Sequence, residues 1–126
     1  MSVKFGIIKR RNLQDPTATP KHYAIARAQQ VTNIDKMSAI IADKCTVSRP
    51  DVYAVIIALL ESIISELMEG RAVQMGKLGT FAIVVSSAGT ENAEDVTAEL
   101  IKKAKVLYRP GMELKDMLQV LHYEKA

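Results

Sequence analysis

The chain has 126 residues and a mass of 13.9 kDa, which suits one domain with an appendage. Its content of 48% hydrophobic and 25% charged residues is typical of a globular protein and argues against a disordered one. The net charge is only +3, but bases collect in residues 1–32 and 102–126, while acids dominate residues 33–70 and 86–101. This asymmetry indicates either a basic face for a polyanion or an ordinary solubilising surface.

Few residues are available for a large core or for covalent chemistry. The chain has no Trp and few aromatic residues, so Ile, Leu, Val and Met must carry the packing, and a second subunit often stabilises such a core. Cys45 is the only cysteine, which suits a reducing cytosol, and its place on an apolar helix face indicates packing. The N-terminus lacks a signal-peptide pattern, and the apolar run 55–60 is too short to span a bilayer. We therefore expect a soluble, cytoplasmic protein.

The first third of the chain predicts a strand, a loop and two helices. Residues 3–9 read as a strand, residues 12–20 as a polar loop with two prolines, and residues 22–30 as a short helix. Thr32 and Asn33 are both plausible N-caps for the next helix. Its apolar face is formed by Ile34, Met37, Ile40, Ile41 and Cys45.

The start of the following helix is marked more clearly in the sequence. Ser48 supplies a hydroxyl cap, Pro50 lies in the first turn, and Asp51 places a carboxylate where a helix N-terminus favours negative charge. Gly70 is the expected stop. The apolar stripe between them consists of Val52, Val55, Ile56, Leu59, Leu60, Ile63, Ile64 and Leu67. Because this stripe is too wide for one thin domain to cover, we expect the helix to pack on its own sheet and on a partner subunit.

The second half of the chain predicts a hairpin, a long strand and a short helix. Residues 71–75 and 80–86 form the hairpin across residues 76–79, and residues 86–95 form a small acidic loop. Thr97 is expected to cap one helical turn through residue 101. Residues 103–109 alternate, with Ala104, Val106 and Tyr108 on one face and the bases on the other. Residues 112–118 predict a helix, and residues 120–123 a last strand that pairs with residues 3–9.

No catalytic or metal site is indicated. The spacing from Gly70 to Gly76 is one residue too long for a phosphate-binding loop. The loop 76–79 joins strands, whereas the RNA-clamping loop of KH domains joins helices. His22 and His122 have no companions at ligand spacing, and the acidic residues 91–99 are more typical of a solvated loop than of paired carboxylates. We expect no enzyme activity, metal, cofactor or small-molecule substrate.

Two segments, in the order in which they occur along the chain, show a resemblance to a known family. Val73-Gln74-Met75-Gly76-Lys77-Leu78-Gly79-Thr80-Phe81 follows the long helix, and Tyr108-Arg109-Pro110-Gly111 follows the returning strand. With Val96-Thr97-Ala98 between them, the set resembles the core of the HU and integration-host-factor family of dimeric DNA-binding proteins, in a longer bacterial branch. The resemblance implies an α+β fold in which helices form the base of an intertwined dimer and β-sheets form a saddle for DNA. It divides the chain into an N-terminal strand and basic extension (1–32), an HU-like DNA-binding domain (33–118) and a C-terminal tail strand (119–126).

The resemblance also implies which bases meet DNA. Arg109, Lys115 and Arg49 match basic positions of the family, and Lys77 adds a charge where the family has glycine. Met112 replaces a family lysine. The full set of expected DNA-binding residues is Lys9, Arg10, Arg11, Arg49, Lys77, Lys102, Lys103, Lys105, Arg109 and Lys115.

The arm of the family is altered in this chain. Residues 81–98 are too short to reach around a duplex, and they hold Glu91, Glu94 and Asp95 but no base and no proline. We therefore expect no bending by a proline wedge. What remains is a homodimeric nucleoid protein that binds double-stranded DNA through phosphates with little sequence preference. The alternative is an HU fold kept as a structural or protein-interaction module, with weak or lost DNA binding.

Overall fold

A computed structural model describes residues 1–126 as three α-helices and two three-stranded sheets. In chain order the elements are β1 (Val3–Arg10), β2 (Lys21–Arg27), α1 (Ile34–Lys44), α2 (Arg49–Met68), β3 (Val73–Gln74), β4 (Gly79–Ser87), β5 (Ile101–Pro110), α3 (Met112–Gln119) and β6 (Tyr123–Lys125). Single 3-10 turns occupy Gly76–Leu78, Ala93–Asp95 and Ala98–Leu100. None of the helices has the length and apolar character needed to cross a lipid bilayer.

The two long helices begin and end at the capping residues that the sequence indicates. The Asn33 side chain accepts the Lys36 amide hydrogen at 2.9 Å, which selects Asn33 over Thr32 as the N-cap of α1. The Ser48 hydroxyl caps α2 by accepting the Asp51 amide at 3.4 Å. Gly70 has a φ of +80° and follows the helix, as predicted. α1 packs against α2, and Val52 is the one buried hydrophobic residue.

The central sheet has the strand order β3-β4-β5 and is antiparallel throughout. β3 and β4 form the hairpin predicted across residues 76–79, and β4 and β5 pair from Gly79↔Pro110 to Ser87↔Ile101. A register shift after Ser86 leaves Lys102 as the extra residue of a β-bulge. This sheet contains both segments that carry the family resemblance.

The terminal sheet has the strand order β2-β1-β6 and joins the two ends of the chain. β1 pairs antiparallel with β2 and parallel with β6. The predicted last strand is thus present, although it begins only at Tyr123 and pairs with Val3–Phe5.

The predicted helix at residues 22–30 is wrong, because Lys21–Arg27 is strand β2. Its alanines suggest a helix, but Tyr23 and Ile25 alternate with Ala24 and Ala26, as a strand requires. Seven residues of β1 supply the hydrogen-bonding partners of this strand. Pairing between segments overrode a local helix preference.

An ion pair between the half-buried Lys4 and the exposed Glu124 joins β6 to β1. The Glu124 carboxylate contacts the Lys4 ammonium and accepts a hydrogen bond from the Ser2 hydroxyl at 2.9 Å. The hydrogen bond from Lys4, and then the one from Ser2, hold the pKa of Glu124 below its usual range.

Acid is expected to loosen β6. Because the pKa of Glu124 is lowered only in the folded chain, the contact stabilises the fold above the ordinary glutamate pKa and is lost as pH falls through the lowered value. At neutral pH the Ala126 amide, which donates to the Phe5 carbonyl at 2.9 Å, should exchange more slowly in the wild type than in Glu124→Gln. The two proteins should exchange alike in acid. Equal exchange at neutral pH would show that the pair does not hold the strand.

The single chain buries very little of its surface. Only 3 of its 126 residues are buried: Ser38, Val52 and Gly79. A folded monomer of 13.9 kDa is expected to expose roughly 6,700 Å², whereas this chain exposes 10868 Å². The large exposed side chains include Val55, Leu60, Ile64 and Met68 of α2. The prediction that the apolar stripe of α2 is wider than its own chain can cover is confirmed.

Cys45 does not pack as predicted, since its side chain is exposed. α1 ends at Lys44, and Cys45 is its C-cap residue with an extended backbone. The helical spacing that placed Cys45 on the apolar face therefore no longer applies at that position.

Gly79 is expected to be a sensitive position for stability. Its φ is +128°, and a Cβ there would lie 2.3 Å from the Arg109 carbonyl oxygen. We expect Gly79→Ala to destabilise the protein by about 1–3 kcal/mol, because strain and steric overlap add. Gly89→Ala is the matched control, since a Cβ at Gly89 meets no atom within 4 Å. Urea unfolding followed by circular dichroism measures both, and equal midpoints would contradict the expectation.

Candidate nucleic-acid interface

The pairing register gives the central sheet one apolar and one basic face. Side chains alternate along a strand, and antiparallel partners share a face. Phe81↔Tyr108 and Ile83↔Val106 therefore lie on the apolar face. The pairs Thr80↔Arg109, Ala82↔Leu107, Val84↔Lys105 and Ser86↔Lys103 lie on the other, which we call the basic face because all three bases of these pairs project from it. The alternation predicted for β5 is confirmed.

Contacts on the apolar side fix this register. The rings of Phe81 and Tyr108 lie with their centroids 5.0 Å apart and their planes tilted by 36°. The Tyr108 hydroxyl donates a hydrogen bond of 2.6 Å to the Leu78 carbonyl oxygen. The ring of Tyr108 is thus held at both ends, and its neighbour Arg109 must project to the opposite face.

The three bases on the basic face are exposed and free of acidic partners. Lys103, Lys105 and Arg109 are all exposed, and none takes part in an ion pair. Their counterparts on β4 are Ser86, Val84 and Thr80, which carry no charge. Lys102 stands beside them at the bulge. The face therefore presents uncompensated positive charge of the kind that attracts phosphates.

Two other expected binding residues are engaged with acids. The Lys77 ammonium lies 2.9 Å from the Glu113 carboxylate, which offsets the charge that this residue adds to the turn. Arg49, at the start of α2, lies 3.7 Å from Asp35. Both pairs are exposed, so each contributes little to stability and can exchange partners. Lys115 lies exposed on α3 with no ion pair.

The remaining expected residues lie apart from the central sheet. Lys9 and Arg10 end β1, and Arg11 begins the loop to β2. Lys21 starts β2 directly opposite Arg10, so it joins this group although sequence reasoning did not select it. The incorrect helix at residues 22–30 hid that pairing. The alternation of Tyr23 and Ile25 with alanines was the signal for a strand at these residues, although it does not identify the partner strand.

The tip between β4 and β5 is short and acidic, as predicted. Residues 88–100 close it with two 3-10 turns, and the Ala88 amide donates to the Leu100 carbonyl at 3.0 Å. Glu91, Glu94 and Asp95 are all exposed in this loop, which has no base and no proline. Thr97 precedes the second turn, but its side chain makes no capping hydrogen bond. The tip is therefore unfavourable for contact with phosphates.

Comparison with solved structures supports the fold. A candidate bacterial DNA-binding protein from Bacteroides vulgatus superposes with a TM-score of 0.68 over 98% of this chain, at 15% sequence identity. The chain spans about half of that protein, 47% of its length. At this identity the likeness establishes the fold alone. No curated protein matches the chain with significance.

A family profile covers nearly the whole chain. It is described as HU domain fused to wHTH, Ig, or glycine-rich motif, and it matches residues 1–125. The match includes the central sheet, the helices and both strands of the terminal sheet that precede α1. The chain therefore belongs to this HU-HIG family and has an HU-type α+β fold.

Proposed function

We propose that this protein is a homodimeric, non-enzymatic, nucleoid-associated protein that binds double-stranded DNA through phosphates with little sequence preference. The observation that carries the proposal is the basic face, where Lys103, Lys105 and Arg109 project together from one strand without acidic partners. Membership of an HU family and the fold of the Bacteroides vulgatus protein support DNA as the polyanion. Contacts to phosphates alone position a protein on a duplex without reading its sequence.

The dimer is supported by the surface that one chain leaves uncovered. The chain exposes about 4,000 Å² more than a folded monomer of its mass. Obligate interfaces bury roughly 2,000–5,000 Å² over both partners, or about 1,000–2,500 Å² per subunit, so a second copy can cover part of this excess. Apolar side chains of α2 and of the apolar face of the central sheet contribute to it, among them Leu60, Ile64, Ile83 and Val106.

The arm supports binding without a proline wedge. The tip between β4 and β5 carries four exposed acids, Glu91, Glu94, Asp95 and Glu99, and no proline, so neither attraction to phosphate nor insertion of proline between bases is available there. The same feature favours the second candidate function, an HU fold that serves as a structural or protein-interaction module. The exposed Met112, in place of a family lysine, favours that candidate as well.

Titration of labelled duplex DNA with the purified protein, followed by fluorescence anisotropy, tests the proposal. The three bases of the basic face contribute roughly −5 to the slope of log K against log salt in a dimer, and binding of this kind has a Kd of about 10⁻⁶–10⁻⁴ M at physiological salt. Duplexes of different sequence should bind alike. Absence of binding at low salt would reject DNA binding and favour the interaction module.

A further inference from the structure

The N-terminal hairpin extends beyond the sheet that anchors it. β6 pairs only with Val3–Phe5, so the remainder of β1 and its partner residues on β2 form a ribbon of two strands. Residues 11–20 close this ribbon as a loop. A two-stranded β-ribbon has a width that the DNA major groove admits.

Charged pairs along the ribbon are compensated at its base and uncompensated at its tip. Lys4↔Arg27 and Arg10↔Lys21 are both cross-strand pairs of like charge on the same face. Such pairs are destabilising unless an anion lies nearby. At the base, Glu124 lies against Lys4, but at the tip no acid pairs with Arg10 or Lys21. The tip therefore lacks the anion that the base of the same sheet possesses.

The tip also forms a shallow groove lined by hydrogen-bond donors. The groove has a volume of about 400 Å³, and its polar lining consists of Arg10, Arg11, Asn12, Thr19, Lys21 and Tyr23. The Asn12 side-chain oxygen accepts the Gln14 amide at 3.0 Å, which leaves its amide group to donate. Three cationic side chains, together with hydroxyl and amide donors, suit the oxygens of a phosphodiester, which accept charge-assisted hydrogen bonds.

The acid of the loop does not neutralise this groove. The Asp15 carboxylate accepts hydrogen bonds from the Thr17 amide at 3.2 Å and from the Thr17 hydroxyl at 2.6 Å. It does not line the groove. The loop thus uses its own acid to shape the turn, and the positive charge of the groove remains available.

We propose that the tip of the β1–β2 hairpin is a second phosphate-binding site, which holds the DNA backbone outside the central sheet through Arg10, Arg11 and Lys21. The inference rests on the proposed function for the identity of its partner, duplex DNA. The acidic tip between β4 and β5 repels phosphate, so contacts beyond the basic face must come from another element. The N-terminal hairpin is the basic element that projects in this way.

The test compares two triple variants of the full chain. In the first, Arg10, Arg11 and Lys21 are changed to glutamine. The control changes Lys36, Lys44 and Lys125 to glutamine; these are also exposed and outside any ion pair, and they neither line the groove nor belong to the pairs of the basic face. The salt slope should become shallower by about 0.9 for each lost phosphate contact in the hairpin variant and stay unchanged in the control. The hairpin variant should unfold no earlier than the wild type, because a repulsive pair has been removed.

A wild-type slope in the hairpin variant would overturn this inference while leaving the proposed function intact. Failure of the wild type itself to bind duplex DNA would reject both. An equal loss in hairpin and control variants would also overturn the inference, since it would reflect net charge alone.

A second measurement locates the hairpin on DNA directly. Leu13→Cys, in a Cys45→Ser background, places a thiol for an iron chelate in the loop at the tip of the hairpin. Asn92→Cys places it at the acidic tip of β4 and β5. We expect backbone cleavage of a bound duplex from position 13 to exceed that from position 92. Stronger cleavage from position 92 would overturn the assignment.

Discussion

Replacement of Leu60 by glutamate is expected to abolish the proposed homodimer and to lower the free energy of unfolding by at least about 3 kcal/mol per subunit. Leu60, Ile64 and Met68 recur at every fourth position of α2 and are 53%, 48% and 83% exposed in the single chain. If a second subunit covers this face, the substitution loses the burial of one leucine and also buries a charge. Sedimentation equilibrium and urea unfolding measure the two effects.

Val31→Glu provides the control for this experiment. Val31 is 87% exposed in the segment between β2 and α1, where it belongs to no helix or strand. Its substitution should change neither the mass in solution nor the unfolding midpoint by a measurable amount. A dimeric Leu60→Glu protein with an unchanged midpoint would exclude this face of α2 as the interface.

Neutralisation of Lys103, Lys105 and Arg109 is expected to weaken duplex binding by on the order of 100-fold or more at low salt. Changing all three to glutamine removes six phosphate contacts from a dimer, so the salt slope should become shallower by roughly 5 as the affinity falls. Since these side chains are exposed and make no ion pair, the fold should be unaffected.

The triple variant with Lys36, Lys44 and Lys125 changed to glutamine again controls for net charge. It should bind DNA as the wild type does. If the variant of the basic face kept its affinity, that face would not be the principal DNA surface, although the hairpin tip could still be one. If the control lost as much affinity as the variant, binding would depend on total charge only.

Sequence alone determined the features that depend on neighbouring residues. Ser48 and Gly70 mark the two ends of α2, because capping and left-handed turns are properties of a few adjacent positions. The alternation of Lys103, Lys105 and Arg109 with apolar residues predicted the basic face, because the side-chain period of a strand is two. The segment 73–81 and the turn after Tyr108 indicated the family.

Tertiary structure decided what depends on residues far apart in the chain. Lys21–Arg27 became a strand because β1 offers a pairing edge, and no local pattern reveals that partner. Lys77 pairs with Glu113, and Lys4 with Glu124, because folding brings distant segments together. The sequence gives the number of charges but not which of them become neighbours. Arg10 and Lys21 came together at one tip for the same reason. Composition predicts that a chain is basic, whereas the register of its strands decides where the positive charge is left without a partner.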